Sequence, residues 1–257
     1  MAQYDIRQAH PSMKVAVISD IHANLHALDA VLEDIDGHGV DEIWCLGDAV
    51  GYGAFPGECV TKLNERCSVF LLGNHDLAAL REIDIGSFSP SAAASARWTR
   101  ENMAEEAFEI LRGLEGTSSR REEIGLFHAS PRDPIWEYVV DSDMAEDNLD
   151  FQEEDVALIG HSHISLYFTR VDEMSRVSSV LAPEGTELKM NRGKWLVNPG
   201  SVGQPRDGDP RAAWAELDTE SLLIRFHRVA YPIEDAATAI SEAGLPQHLG
   251  ERLFKGQ

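Results

Sequence analysis

Six short apolar runs of strand length punctuate this chain, and each stops at a Gly, Asp, Asn or His. Lys14–Ser19 leads to Asp20, Glu42–Leu46 to Gly47-Asp48, and Val69–Leu72 to Gly73-Asn74. Glu123–Phe127 runs into His128, Val156–Ile159 into Gly160-His161, and Trp195–Val197 into Asn198. Stretches of helical period lie between the first of them. Leu25, Leu28, Val31, Leu32 and Ile35 share one face, and Pro56 is placed to open a helix through about Glu65. Ser89-Pro90 reads as a cap and first-turn pair for a helix that runs through Trp98 and, after a break, to Leu111. Strands alternating with helices predict βαβ units and a largely parallel sheet, whose ligands collect outside the carboxyl ends of the strands. The polar residues that end the runs are expected to converge there.

Beyond residue 160 the period becomes hairpin-like. Ser165–Val171, Ala212–Leu217 and Leu222–Val229 read as strands, with turn signals at Asp207-Gly208 and Asp218–Glu220. This predicts a second, more antiparallel sheet packed on the first. Pro232 opens a final helix over Ile233–Ala243, and Asp172–Lys194 has weak periodicity, as an excursion or long hairpin would. Met1–Ser12 is polar and precedes Met13, which opens an apolar run, so residues 1–12 read as an N-terminal extension and 13–257 as a single domain.

Composition narrows the function classes. Lys+Arg number 22 against Asp+Glu 44, a net charge of −22 whose field repels phosphate backbones and anionic lipid surfaces. A long nucleic acid or a membrane surface is therefore not expected as partner. Cys45, Cys59 and Cys67 form no CxxC pair, which points away from disulfide frameworks and zinc ribbons and towards a reducing cytoplasm. No apolar run approaches the roughly 20 residues that span a bilayer.

Asp20-Ile21-His22, Gly47-Asp48, Gly73-Asn74-His75-Asp76, His128 and Gly160-His161-Ser162-His163 together offer carboxylate, amide and imidazole groups. That nitrogen and oxygen set suits two borderline or hard divalent metals. Asp-x-His can aim both side chains at one cation, His-x-His can give one imidazole to each of two, and a carboxylate such as Asp48 can bridge a pair about 3.5–4 Å apart. Singly these signals are weak: Asp20 would also serve as a cap for a helix over Ile21–Asp36, and a lone His128 would sit equally well in a core. Their conjunction, each after an apolar strand, carries the metal reading.

In order, DIH, GD, GNHD, the lone histidine of FHAS, and GHSH resemble the calcineurin-like metallophosphoesterase superfamily over most of Met13–Val229. GDAVGYGAFPGECV and VNPGSVGQPRDGDPRAAWAELD are similar to its small prokaryotic phosphoesterase branch. The resemblance implies an α/β fold, a four-layer α/β/β/α sandwich of two mixed β-sheets flanked by helices. It implies that Asp20, His22, Asp48 and His163 hold one metal and that Asp48, Asn74, His128 and His161 hold a second, with Asp48 bridging. His75 matches the histidine that contacts the phosphate and protonates the leaving oxygen. The implied activity is hydrolysis of a small phosphodiester or nucleotide by metal-activated hydroxide. Mn or Fe are the foremost metals for such mixed ligands, with Zn, Ni or Mg also compatible. The substrate partner is then a small phosphate ester, and the sequence is compatible with a homo-oligomer.

Arg206, after the Asn198-Pro199-Gly200-Ser201 loop, is a candidate to hold a substrate phosphate with Asn74 and His75; its alternative is a surface turn. Arg132 is a weaker candidate, and Trp98, Trp136 and Tyr138 could stack on a base or simply pack. Asp76 stands beside His75 without an evident role. Two rival readings follow from the same superfamily. Ser/Thr protein phosphatases carry GDYVDRG where this chain has Gly47–Gly53, so their aspartate and arginine are replaced by Gly51 and Tyr52. A non-catalytic scaffold, like the retromer subunit of this fold, typically lacks ligands or the histidine, whereas every one is present here.

Overall fold

Alternation along the strands decides the layers. In β1 (Lys14–Ile18), Val15 and Val17 face one way and Ala16 and Ile18 the other, and all four are fully buried. A strand buried on both faces needs a layer above and a layer below. The computed structural model describes residues 13–257 except Glu122, and it supplies both. The N-terminal extension expected at residues 1–12 lies outside the described residues.

The first sheet has the order β3 (Val69–Phe70), β2 (Glu42–Cys45), β1, β11 (Ala212–Asp218), β12 (Leu223–Val229), β9 (Glu187–Lys189). The second runs β4 (Ser118–Arg121), β5 (Ile124–Phe127), β6 (Val156–Leu158), β10 (Lys194–Pro199), β7 (Ser165–Arg170), β8 (Ser178–Leu181). Ala16, Ile18, Ile43 and Cys45 pack under α1 (Leu25–His38), α2 (Pro56–Arg66), α5 (Glu105–Arg112) and α7 (Ile233–Glu242). Val15, Val17, Trp44 and Leu46 instead meet Leu126, Val156, Leu158 and Val197 of the second sheet. The far face of that sheet, with Ala157, Ile159, Leu196 and Phe168, is covered by Ala145 and Leu149 of α6 (Ser142–Phe151). Helix, sheet, sheet and helix thus form the four layers of the α/β sandwich.

Two local expectations change, and one strand is added that the sequence reading lacks. The sheets do not divide near residue 160: the β11–β12 hairpin returns to the first sheet, where β11 lies antiparallel to β1 with Val17 opposite Ala215. Trp214 on its helix-facing side and Ala215 and Leu217 on its inter-sheet side are buried, so β11 fits only a central place. Asp172–Lys194 is not one hairpin, because β8 pairs with β7 in the second sheet and β9 with β12 in the first. Strand β4 is Ser-Ser-Arg-Arg; an edge paired with β5 by its backbone needs no apolar alternation.

Helix α1 begins later than Ile21. The side chain of Asn24 accepts from the Ala27 amide at 3.1 Å and caps it, which leaves Asp20 free of that duty. The Ser89 cap is as expected, and α4 (Pro90–Asn102) breaks at Met103-Ala104 before α5. No helix among the described residues is long and apolar enough to cross a membrane.

Candidate metal centre

Parallel pairing sets the strand ends side by side. With Ile18 opposite Cys45, the turn after β1 runs along the turn after β2: the amides of Asp20, His22 and Ala23 donate to the carbonyls of Gly47, Asp48 and Ala49 at 3.0, 2.9 and 2.8 Å. In the second sheet the Gly160 amide donates to the His128 carbonyl at 2.8 Å. Asp20, His22, Asp48, His161 and His163 all adopt left-handed backbone, with φ of 55°, 50°, 56°, 63° and 61°. Each such residue costs roughly 1–2 kcal/mol, a strain that persists where the surroundings over-determine it, as at functional sites.

Every sequence-predicted ligand arrives at one buried point. Asp20, His22 and His163 have ligand atoms that gather in one group, and Asp48, His128 and His161 in another. Asp48 joins them, its Oδ2 lying 3.6 Å from Nε2 of both His22 and His128. Asp20 Oδ1 stands 3.4 Å from His163 Nε2, and Asn74 Oδ1 stands 3.2 Å from His128 Nε2.

The imidazoles are oriented by the backbone. Nδ1 of His22, His128 and His163 donates to the carbonyls of Val50, Leu46 and Gln204 at 3.0, 3.0 and 2.7 Å. A carbonyl can only accept, so each Nδ1 carries the hydrogen and each Nε2 presents its lone pair inward, as metal-ligating histidines do. The Trp136 carbonyl holds the His161 ring in the same manner.

This arrangement makes acceptor face acceptor. His22 Nε2 and His163 Nε2 lie 3.1 Å apart with no proton of their own to share. Asp20 Oδ1, Asp48 Oδ2 and His161 Nε2 are buried without a hydrogen-bond partner. Such atoms repel unless positive charge lies among them. Burial, followed by neighbouring positive groups, pulls His22, His161 and His163 well below the ordinary imidazole range, so they do not supply it. The carboxyls respond in the opposite sense: burial pushes Asp20 up to about 7 and Asp48 well above its usual value. A mixed oxygen and nitrogen donor set, neutral imidazoles and orphaned inward-facing acceptors fit two divalent cations.

Several residues that sequence reasoning passed over build the frame. Asp76 does not partner His75. Its carboxylate accepts from the amides of Gly73, Val50 and Ala49 at 2.8, 3.1 and 3.3 Å, tying the Asp48 turn to the start of α3 (Asn74–Leu80). Asn198 donates to the Gly160 carbonyl at 2.6 Å and the Ser162 hydroxyl at 3.0 Å, and Ser201 donates to the Asp20 carbonyl at 2.7 Å. The only signal for Asn198 was its place at a strand end; Asp76 and Ser201 gave none beyond adjacency. Gly73 packs so closely that a Cβ there would overlap the Asp48 carboxylate, which accounts for glycine before Asn74.

His75 and Arg206 flank the centre. The His75 amide donates to Asp48 Oδ1 at 2.8 Å, its ring edges onto His22 with centroids 4.9 Å apart, and its Nδ1 is buried without a partner. Gly51 has φ +88°, and a Cβ on it would overlap His75 Nδ1, so an acidic partner for this ring cannot stand there. Burial, then Arg206 and His128, pull His75 down to about 3. The Tyr52 ring lies between His22 and His75, at 4.7 and 4.5 Å. Arg206 is anchored by its amide to the His163 carbonyl at 3.0 Å, and its guanidinium sits 5.9 Å from the Tyr52 ring, with Nε buried and unpartnered. It is no surface turn. Arg132 is not brought to the centre: it pairs with Asp147 and, at 3.9 Å, with Glu137. Trp98 packs against the helical core, whereas Trp136 and Tyr138 stand at the site.

Comparison with known proteins agrees with this geometry. Residues 13–221 match the calcineurin-like phosphoesterase superfamily domain. An uncharacterized protein of Methanocaldococcus jannaschii is 38% identical over 247 residues, covering 95% of this chain and 98% of its own length. The crystal structure of a metallophosphoesterase from Sphaerobacter thermophilus superposes with a TM-score of 0.86 at 38% identity, over 96% of this chain and 100% of that one. A hypothetical protein from Pyrococcus horikoshii shares the fold, with a TM-score of 0.76 at 22% identity over 95% and 98% of the two chains.

Proposed function

Since the chain belongs to the calcineurin-like phosphoesterase superfamily, we propose that it is a metal-dependent hydrolase of a small phosphodiester or nucleotide. The observation that carries this reading is Asp48 Oδ2, buried, unpartnered and 3.6 Å from an inward-facing nitrogen on either side. Asp20, His22 and His163 would hold one cation, Asn74, His128 and His161 the other, and Asp48 both. When bound, such a pair supplies charge neutralisation for the phosphate and a water of lowered pKa. Mn and Fe remain the foremost choices.

The chain's own groups supply the rest. Arg206, the cation among Tyr52 and His163, would hold phosphate oxygens by charge-assisted hydrogen bonds. His75 would protonate the departing oxygen. Its low pKa in the free chain comes first from burial and then from Arg206 and His128, and the negative charge of an incoming phosphate counters the Arg206 charge and so favours the imidazolium. Asn74 and the His75 backbone fix the position of that ring against Asp48.

Specificity follows from what flanks His75. Gly51 and Tyr52 replace the acidic and arginine pair of a protein phosphatase, which favours a diester, with one negative charge fewer, over a phosphoseryl group. Loaded with the same metal, the protein should show a higher kcat/KM on bis-nitrophenyl phosphate than on phosphopeptides. A phosphopeptide preference of tenfold or more would favour the protein phosphatase reading. No hydrolysis of any ester by protein holding two metals would leave the scaffold reading.

A further inference from the structure

Around the mouth of the centre stands a set of aromatic rings that the core does not require. Tyr138 is 44% and Trp136 39% exposed, so both rings offer a face to solvent beside the centre. The rings form a continuous path outward from the metal ligands. His75 meets Phe88 at 5.0 Å, and Phe88 meets Trp136 edge-on at 5.8 Å. On the other side Tyr138 lies over His161, with centroids 3.9 Å apart.

The turn that carries Trp136 and Tyr138 is rigidly held. Asp133 Oδ1 accepts from the amides of Ile135 and Trp136 at 3.1 Å each, and Glu137 Oε2 accepts from Ser130 at 2.6 Å and Asn148 at 2.8 Å. The Trp136 carbonyl is also the acceptor for His161, which ties this turn to the centre. Positive charge is focused at the same place. In a chain of net charge −22, the Arg206 guanidinium lies 5.9 Å from the Tyr52 ring and bonds the Tyr138 side chain.

We propose that Phe88, Trp136 and Tyr138 form a stacking wall for a nucleobase whose attached phosphate reaches His75 and Arg206, making the substrate a nucleoside phosphoester. The inference rests on the phosphoester hydrolase reading and narrows its substrate. Rigid, part-exposed aromatic faces next to an anion-binding arginine match a ligand with a flat ring at one end and a phosphate at the other. A sugar phosphate without a base would leave the wall in water. Trp136 is the specificity determinant, since it is the outermost ring of the path and makes no contact that the core needs.

Binding tests this without turnover. The methylene phosphonate analogue of AMP, whose P–C bond resists hydrolysis, and the same analogue of ribose 5-phosphate would be titrated calorimetrically into metal-loaded protein. The base-bearing probe should bind about tenfold tighter or more, the scale of one stacked base. Trp136→Ala should remove most of that gain and leave the ribose probe unchanged, while Trp136→Phe should keep part of it. Equal affinity of the two probes for the unaltered protein, or an equal loss of both in Trp136→Ala, would overturn the proposal. Hydrolysis of bis-nitrophenyl phosphate, measured in parallel, reports on the hydrolase reading separately: its presence with no base preference sinks only the stacking wall.

Discussion

The floor of the site and its rim are built on opposite terms. On the floor, Asp20, His22, Asp48, Asn74, His128, His161 and His163 are buried, four of the imidazoles are aimed by backbone carbonyls, and five residues hold left-handed backbone. On the rim, Trp136 and Tyr138 are part-exposed, and the turn beneath them is fixed by Asp133 and Glu137, with Ile135 and Val139 anchoring it to the cores. The difference separates two jobs. Strained, desolvated acceptors bind cations whatever the substrate, while surfaces that keep contact with water can change without unmaking the centre. Substitutions on the floor should therefore abolish chemistry, and those on the rim should alter only selection.

The sharpest break is Asp48→Ala. It removes the one carboxylate that touches both groups, and both metal equivalents should be lost together, with activity at background, by elemental analysis of the purified protein. Retention of two equivalents would show the groups to be independent.

Next in size is His75→Ala, which should keep both metals and slow turnover by roughly 10²–10⁴-fold, the scale of losing a general acid. With the ring as proton donor to the leaving oxygen, as proposed, the loss should shrink for nitrophenolate, which needs no proton. An equal loss across leaving groups of widely different pKa would reduce His75 to a phosphate contact.

A smaller effect concerns pH. Burial first, and Asp48 with it, hold the Asp20 carboxyl up at about 7 in the metal-free chain, with His128 opposing. Below that pH Asp20 keeps a proton that an arriving cation must displace; above it the carboxylate is already free. Metal affinity should thus fall at least tenfold per unit as pH drops below 7, with protons released from Asp20 and from the likewise raised Asp48, while the imidazoles stay neutral and do not compete. Calorimetry in buffers of different ionisation enthalpy measures those protons.

The smallest change is expected on the rim. Trp136→Ala should shift thermal stability by no more than about 1 kcal/mol, because the ring is 39% exposed and the hydrogen bonds that hold its turn come from the backbone and Asp133. A large loss of stability would mean the rim belongs to the floor.

The strand-end motifs were legible because period and punctuation are local. An apolar run of strand length followed by Gly-Asp or Gly-Asn-His reads the same wherever the strand is placed, and all seven candidate ligands came from such ends. Asn24 as the cap of α1, and the break before α5, follow equally local rules, although Asp20 is by its type an equally competent cap. What local rules could not reach were contacts between distant segments. Asp76 has no role legible beside His75, because its oxygens turn to amides 26 and 27 residues away. Trp98 and Trp136 were equivalent as aromatics, and only packing sends one to the helical core and the other to the site mouth.

The sequence by itself determined which groups can bind cations, that they sit at strand ends and, by the order of its motifs, that the chain belongs to the calcineurin-like phosphoesterase superfamily with its α/β fold. Alternation and residue chemistry are properties of a few neighbouring residues and survive without a fold. Tertiary structure alone decided that β11 joins β1, that Asp48 lies equidistant from His22 and His128, and that Arg206 enters the site while Arg132 leaves it. Those are matters of register and of which buried acceptor finds which donor, and such choices are settled by desolvation summed over the whole molecule.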